Sequence, residues 1–187
     1  MLNNKWLILV LISLLAITGC QSMGGELASS AGDITRDSNA ALQDLYAKNP
    51  EARQLGKRAK GILVFPDILK AGFIGGIQYG SGGALFKKGR TAGYYNIVAG
   101  SYGLQAGVQS FSYALFFMDN DSLSYLNKSE GWEIGVGPSI VVVDKGMAKS
   151  LTSTTLQNGV YAFIFGEKGL MAGLGLQGSK ISRIDPN

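Results

Sequence analysis

Apolar residues keep helical spacing before Gly61 and strand spacing after it. Between Asp33 and Tyr46, the residues Ile34, Ala41, Leu42, Leu45 and Tyr46 recur three and four apart, which predicts one buried helical face. Asp33 is the expected cap of that helix. Asn49-Pro50-Glu51 predicts a second start, with asparagine as the cap, proline at the first helical position and an acid in the first turn. Ala52, Leu55 and Ala59 give this second segment an apolar stripe. Gly61-Ile62-Leu63-Val64-Phe65 is then a continuous apolar run closed by Pro66, which predicts a buried strand. Phe73 to Tyr79 and Ala84 to Lys88 predict two strands, with Gly80-Ser81-Gly82-Gly83 as the hairpin connection between them. Lys87-Lys88-Gly89-Arg90 predicts a second, basic turn before a strand over Ala92 to Val98.

The alternation is clearest from Tyr102 onward. Leu104, Ala106 and Val108 share one face, and Gln105, Gly107 and Gln109 the other. Phe111 to Met118 is apolar on both faces, which places it centrally in a sheet. Asp121 to Asn127 reads as a short capped helix or turn, and Trp132 to Val143 as a strand. Asp144 to Asn158 is polar and loop-like, and Gly159 to Phe165 and Gly169 to Ile184 complete the sheet. The expected fold class is α+β: N-terminal helical segments packed on a curved, mainly antiparallel β-sheet, sandwich- or barrel-like.

Composition sharpens this picture at one point. Glycine supplies 27 of 187 residues, about twice average usage, with no collagen period. In a β-rich chain it serves turns, bulges and close backbone approach. Several strands thus carry one bulky apolar face and one face of glycine and glutamine. That pattern suits a tightly curved sheet, or a groove in which a ligand approaches the backbone.

The missing chemistry is as informative. There is no histidine, so Ser-His-Asp and Cys-His catalysis, histidine metal sites and histidine pH switching are excluded. Cys20 is the only cysteine. Asp119, Asp121 and Glu133 are the best acid candidates, yet no spacing singles out a pair, and cap or loop roles account for them. Gly173 to Gly178 matches GxGxxG, but no helix, second strand and acidic residue follow it, so no nucleotide cofactor is expected. The reading is a non-enzymatic protein without cofactor or metal.

Charge is unevenly placed. The net charge is +4, falling to +3 if Lys5 is removed with a leader. From 57 to 90, seven cations (Lys57, Arg58, Lys60, Lys70, Lys87, Lys88 and Arg90) face one acid, Asp67. From Asp119 to Glu133 the balance reverses. Such a basic stretch suits an anionic surface. The first three cations also match the negative end of a helix dipole, a role that needs no ligand.

The N-terminus sets the expected compartment. Lys5 supplies a positive n-region, Trp6 to Ile17 an apolar h-region, and Thr18-Gly19 the small residues before Cys20. The apolar run is short for a bilayer span. Leu14-Leu15-Ala16-Ile17-Thr18-Gly19-Cys20 resembles the lipobox of bacterial lipoproteins. The resemblance implies cleavage before Cys20 and acylation of its thiol. Gln21, rather than aspartate, implies transport to the outer membrane, facing the periplasm. The expected organisation is 1–19 signal peptide, 20–32 lipidated cysteine and tether, and 33–187 one domain. In that compartment nucleic acid is not an expected partner.

A further resemblance runs through the domain. Gly61 to Pro66 and Lys70-Ala71-Gly72-Phe73 resemble the opening of the SYLF family of lipid-binding domains, and Gly100-Ser101-Tyr102-Gly103-Leu104-Gln105-Ala106-Gly107-Val108-Gln109 its central signature. Leu115 to Met118, Gly131 to Gly135, Gly169 to Gly173 and Gly178 to Ile181 follow in the family's order. The resemblance implies a non-enzymatic domain that binds membrane lipid. Eukaryotic relatives bind phosphoinositides, and some bind actin. For an exported bacterial chain, the transferable expectation is anionic phospholipid, with the seven cations above as candidate contacts. The alternative is an interaction lipoprotein whose basic face holds an envelope protein or acidic polymer. The sequence does not set the oligomeric state.

Overall fold

The computed structural model describes residues 29–72, 75–102, 107–127, 132–133, 140–143, 159–169 and 179–187. The segment expected as a leader, Cys20, the 144–158 segment and the GxGxxG run lie outside them. No helix among the described residues is long and apolar enough to cross a membrane.

Helix α1 spans Ala31–Lys48 and begins within the segment expected to be tether. Its cap is Ser30 rather than Asp33. The Ser30 hydroxyl accepts from the Asp33 N–H at 3.2 Å and donates to the Asp33 carboxylate at 2.7 Å. Asp33 therefore sits in the first turn, where an acid suits the dipole. Hydrogen bonds from Ser30 and Arg36 hold its carboxyl below the usual range. Helix α2, Pro50–Arg58, starts as its sequence predicts: Asn49 Oδ1 accepts from the Ala52 N–H at 2.8 Å, and Pro50 opens the first turn.

The strands are β1 Gly61–Gly72, β2 Gly75–Lys87, β3 Arg90–Tyr102, β4 Gly107–Phe117, β5 Trp132–Glu133, β6 Ile140–Val142, β7 Val160–Gly169 and β8 Ser179–Ile184. A short helix α3, Asn120–Ser124, and a 3₁₀ turn follow β4. The strands form one curled sheet in the order β5-β8-β3-β2-β1-β4-β7-β6. All described pairings are antiparallel except β6 with β7. The topology is nested: β1 and β2 are central, β3 and β4 flank them, and β8 and β7 flank those. The β1–β2, β3–β4 and β7–β8 connections all leave from one end, here the far end. The helices and the β2–β3 turn lie at the other, here the basic end. The α+β class expected from the sequence is the class observed.

Three further local expectations are corrected. Trp132 to Val143 is not one strand: Trp132–Glu133 pairs with β8 at one sheet edge and Ile140–Val142 with β7 at the other. Pro66 does not end the first strand. Pro66 and Asp67 are absorbed in a bulge between Phe65 and Ile68, and β1 runs on to Gly72. The Ser112 hydroxyl donates to the Pro66 carbonyl at 2.7 Å, holding the bulge to β4. Gly80 to Gly83 is not a hairpin turn; it lies inside β2, at a second bulge facing β3. A Cβ on Gly83 would stand 2.5 Å from the Phe65 ring, so this glycine lets an aromatic side chain press on the backbone.

In the basic half the sheet is apolar on both faces. Leu42 and Leu45 of α1 and Ala52 and Leu55 of α2 pack on Ile62, Val64, Ala114 and Phe116. Phe116 meets Phe163 edge-on, with centroids 5.3 Å apart. Inside the curl, Leu63, Phe65, Tyr113, Leu115 and Phe117 form a second cluster, closed by Leu123 and Leu126. Each fully buried side chain of this size contributes about 1.5–3 kcal/mol. Buried Ser38 serves both strands beneath α1: its hydroxyl donates to the Val64 carbonyl at 3.1 Å and accepts from the Ala84 N–H at 3.2 Å.

Candidate functional site

Two structural devices gather the cations at the basic end. The first is the turn between β2 and β3. Lys88 and Gly89 have φ of 50° and 74°, the two left-handed positions of a tight hairpin, and Lys87 pairs with Arg90 across it. The second is the end of α2, which carries Lys57 and Arg58 in its last turn. The chain then joins the sheet directly: the Lys60 N–H donates to the Phe117 carbonyl at 2.7 Å. The register of Ile62 with Phe86 sets the start of β1 beside the β2–β3 turn. Lys57, Arg58, Lys60, Lys87, Lys88 and Arg90 thus share one end of the molecule. All are exposed except half-buried Lys87.

Lys70 is not among them. It lies near the far end of β1 and is buried inside the curl, at 1% exposure. Burial lowers its ammonium pKa. Its neighbours in register are Gln78 and Gln109, both buried. Of the glycine-glutamine face seen in the sequence, Gln109 lies inside the curl, and Gln105 and 171–177 lie outside the described residues.

A cleft of about 560 Å³ opens between α1, α2 and the β2–β3 turn. Leu42, Tyr46, Ile62 and Phe86 line its apolar part, and Thr35, Thr91, Asn39 and Gln43 supply polar groups. Lys57 and Lys88 reach it from opposite sides, one from a helix end and one from a turn. Arg36 also lines it, but Asp33 at 2.6 Å and Asp37 at 2.9 Å already pair with that guanidinium. Neither Lys57 nor Lys88 pairs with an acid among the described residues. The Thr35 hydroxyl lies 3.0 Å from the Tyr94 hydroxyl, tying α1 to β3 at the cleft wall. Tyr46 leans on Gly56, where any Cβ would collide with the phenol, and burial pushes its pKa up to about 12. Size, apolar lining and a few placed polar groups are the attributes of a small-molecule site. This one suits an amphiphile with an anionic head.

Sequence reasoning found Lys57 and Lys88 but not their companions. Thr35, Leu42, Tyr46, Phe86 and Thr91 come from three elements, and only packing of α1 across β1–β3 brings them together. The carboxylate candidates fall elsewhere. Asp119 caps α3, accepting from the Ser122 N–H at 2.6 Å, and Asp121 lies in the first turn. Glu133 is on the edge strand β5. Among the described residues no cluster of three His, Cys, Asp or Glu is placed to hold a metal ion.

The fold is a curled antiparallel sheet under an N-terminal helix, with a basic, apolar-lined cleft at one end. A family model described as "Ysc84: Las17-binding protein actin regulator" matches residues 98–186. Over this span the chain is similar to the Ysc84 (SYLF) family, whose domains are known in general as lipid-binding and generally non-catalytic. The matched span runs from β3 through β8 and includes the Gly100 to Gln109 signature. Helices α1 and α2 and strands β1 and β2 lie before it; β1 and β2 share its sheet, and the two helices share its core. A search of curated proteins finds no match.

Proposed function

We propose that this protein is a membrane-anchored lipoprotein whose domain binds anionic phospholipid at the basic end. The observation that supports this reading best is that Lys57 and Lys88 line one cleft together with the apolar Leu42, Ile62 and Phe86. A headgroup phosphate between the two ammonium groups places the first acyl carbons against Leu42, Ile62 and Phe86. Each lysine near an anionic surface is worth about 1 kcal/mol and is screened by salt. Arg58, Lys60, Lys87 and Arg90 extend the same positive end. In this reading acylated Cys20 holds the protein on the outer membrane, facing the periplasm, and the domain's weak headgroup contacts act at high local concentration.

A chain beginning at Met23 keeps every described residue and tests the lipid reading. It pellets with phosphatidylglycerol or cardiolipin vesicles and is released as salt rises. Combined Lys57→Glu and Lys88→Glu substitution removes about 2 kcal/mol or more, a loss of at least about 30-fold in partitioning. Equal binding to neutral phosphatidylcholine vesicles overturns the charge mechanism. Absence of vesicle binding, with a stoichiometric envelope protein captured instead, points to an interaction lipoprotein. The anchor is tested separately: Cys20→Ser loses acyl incorporation and stable membrane residence.

A further inference from the structure

Past Ile68 the polarity of the sheet inverts. The inward row across the strands is Ser179, Ala99, Gln78, Lys70, Gln109 and Gly169, in that order from β8 to β7. Its four polar side chains are all buried. The outward row beside it runs Lys180, Val98, Tyr79, Leu69, Ser110 and Lys168. The next outward row is Gly100, Ile77, Ala71 and Val108. The outward apolar side chains stand in solvent: Ile77 is 68% exposed, Val108 58% and Leu69 50%. They form one contiguous face over four strands, on the side of the sheet that α1 covers in the basic half but leaves bare here. Apolar-out, polar-in alternation is the pattern of strands that face lipid.

Resting on the lipid-binding reading, we propose that this bare face is the surface by which the domain seats on its own bilayer. Leu69, Ile77, Tyr79, Val98 and Val108 enter the interfacial region, and Lys168 and Lys180 reach the phosphates at either side. Charge complementarity favours lipid over a second copy of the chain. A two-fold axis along the strands would set Lys168 against Lys180, and one across them would set each lysine against itself. Phosphates fit that rim, although β5 adds Glu133 beyond Lys180 at the sheet edge. Tyr79 offers the amphipathic ring that such boundaries favour.

Ile34, in the first turn of α1, packs against Gly82, three residues along β2 from Tyr79. The Ala31 N–H donates to the Asn187 carbonyl at 3.2 Å, which sets the entry of the chain beside the segment that follows β8. Ten residues separate Cys20 from Ser30, so an acyl anchor at Cys20 keeps the bilayer within about 35 Å of it. The cleft lies at the opposite end of the strands, so substitutions separate the two surfaces.

The test uses the full chain with Trp6→Phe, Trp132→Phe and Tyr79→Trp, reconstituted into phosphatidylglycerol vesicles. Emission from the single indole introduced in β2 shifts to the blue and is quenched by brominated acyl chains. Ile77→Glu or Ile77→Ser abolishes both effects while far-ultraviolet circular dichroism stays unchanged. Unshifted, unquenched emission from that indole overturns the proposal. If the chain beginning at Met23 still pellets with anionic vesicles in that case, the lipid-binding reading survives; if it does not pellet, that reading falls as well. A blue shift that appears without vesicles and grows with protein concentration also overturns the proposal, in favour of a self-associating face.

Discussion

The two halves of strand β1 use the same alternation for opposite ends. In the basic half, Ile62 and Val64 lie under the helices and Leu63 and Phe65 fill the curl, so every position is apolar and buried. In the far half, Leu69 points to solvent and Lys70 is sealed inside. Strand propensity is satisfied in both halves. The difference lies in what covers the outer face: α1 and α2 in one case and no described helix in the other. A period-two pattern sorts side chains into two sets but leaves open which set becomes the interior. The comparison also separates roles, with stability concentrated in the basic half and an apolar contact surface in the far half.

Substitutions test that division. The largest effect is expected for Phe116→Ala, which hollows the cluster between helices and sheet. It costs about 3–5 kcal/mol in urea unfolding, and a much smaller loss would show that the basic half does not hold the fold. Asn49→Ala removes the cap of α2 and costs about 1 kcal/mol by the same measurement, with the sheet intact.

Alkaline titration distinguishes the halves by sign. Tyr46, in the basic half, ionises near 10 when unfolded but only at about 12 in the folded state. Its contribution is present below pH 10 and lost as pH rises from 10 to 12. Lys70, in the far half, has the opposite sign. Its folded pKa is lowered, so the unfolded chain holds the proton to a higher pH, and stability rises as pH climbs towards 10.5. Tyr46→Phe reduces the loss above pH 10, which Tyr95 and Tyr113, also raised by burial, share, and Lys70→Met flattens the gain below 10.5. Denaturation midpoints across pH 8–12 read both. The smallest expected effect is Ile77→Ala: exposed and unpacked, it changes solution stability by no more than about 0.5 kcal/mol. A cost above 1.5 kcal/mol would mean that the far outer face is packed in the free protein.

Much of the architecture was legible locally. Asn49-Pro50 announced a helix start because both residues act within one turn. The Lys88-Gly89 turn was legible because two left-handed positions need a short, polar pair. The errors arose where one local signal had two readings. Ser30 and Asp33 are both cap residues three apart, and only the hydrogen bonds show that serine caps and aspartate follows. Gly80-Ser81-Gly82-Gly83 has turn composition, but with Phe65 pressed on Gly83 and Ile34 on Gly82 the same glycines build a bulge. Pro66 reads as a strand end until a bulge accommodates its missing N–H.

The candidate site divides in the same way. Sequence by itself determined that the chain is an α+β protein without histidine chemistry, with cations clustered between 57 and 90 and a cysteine placed as in a lipoprotein leader. Those properties follow from composition and from contacts within a few residues. Tertiary structure alone decided that six of the seven cations share one end while Lys70 is buried near the other. It also decided that Lys57 and Lys88 line one cleft with Leu42, Ile62 and Phe86, and that the sheet is apolar outward beyond the reach of α1. Each of these depends on strand order and on where a helix lies across it, and so on pairings between residues that sit far apart in the chain.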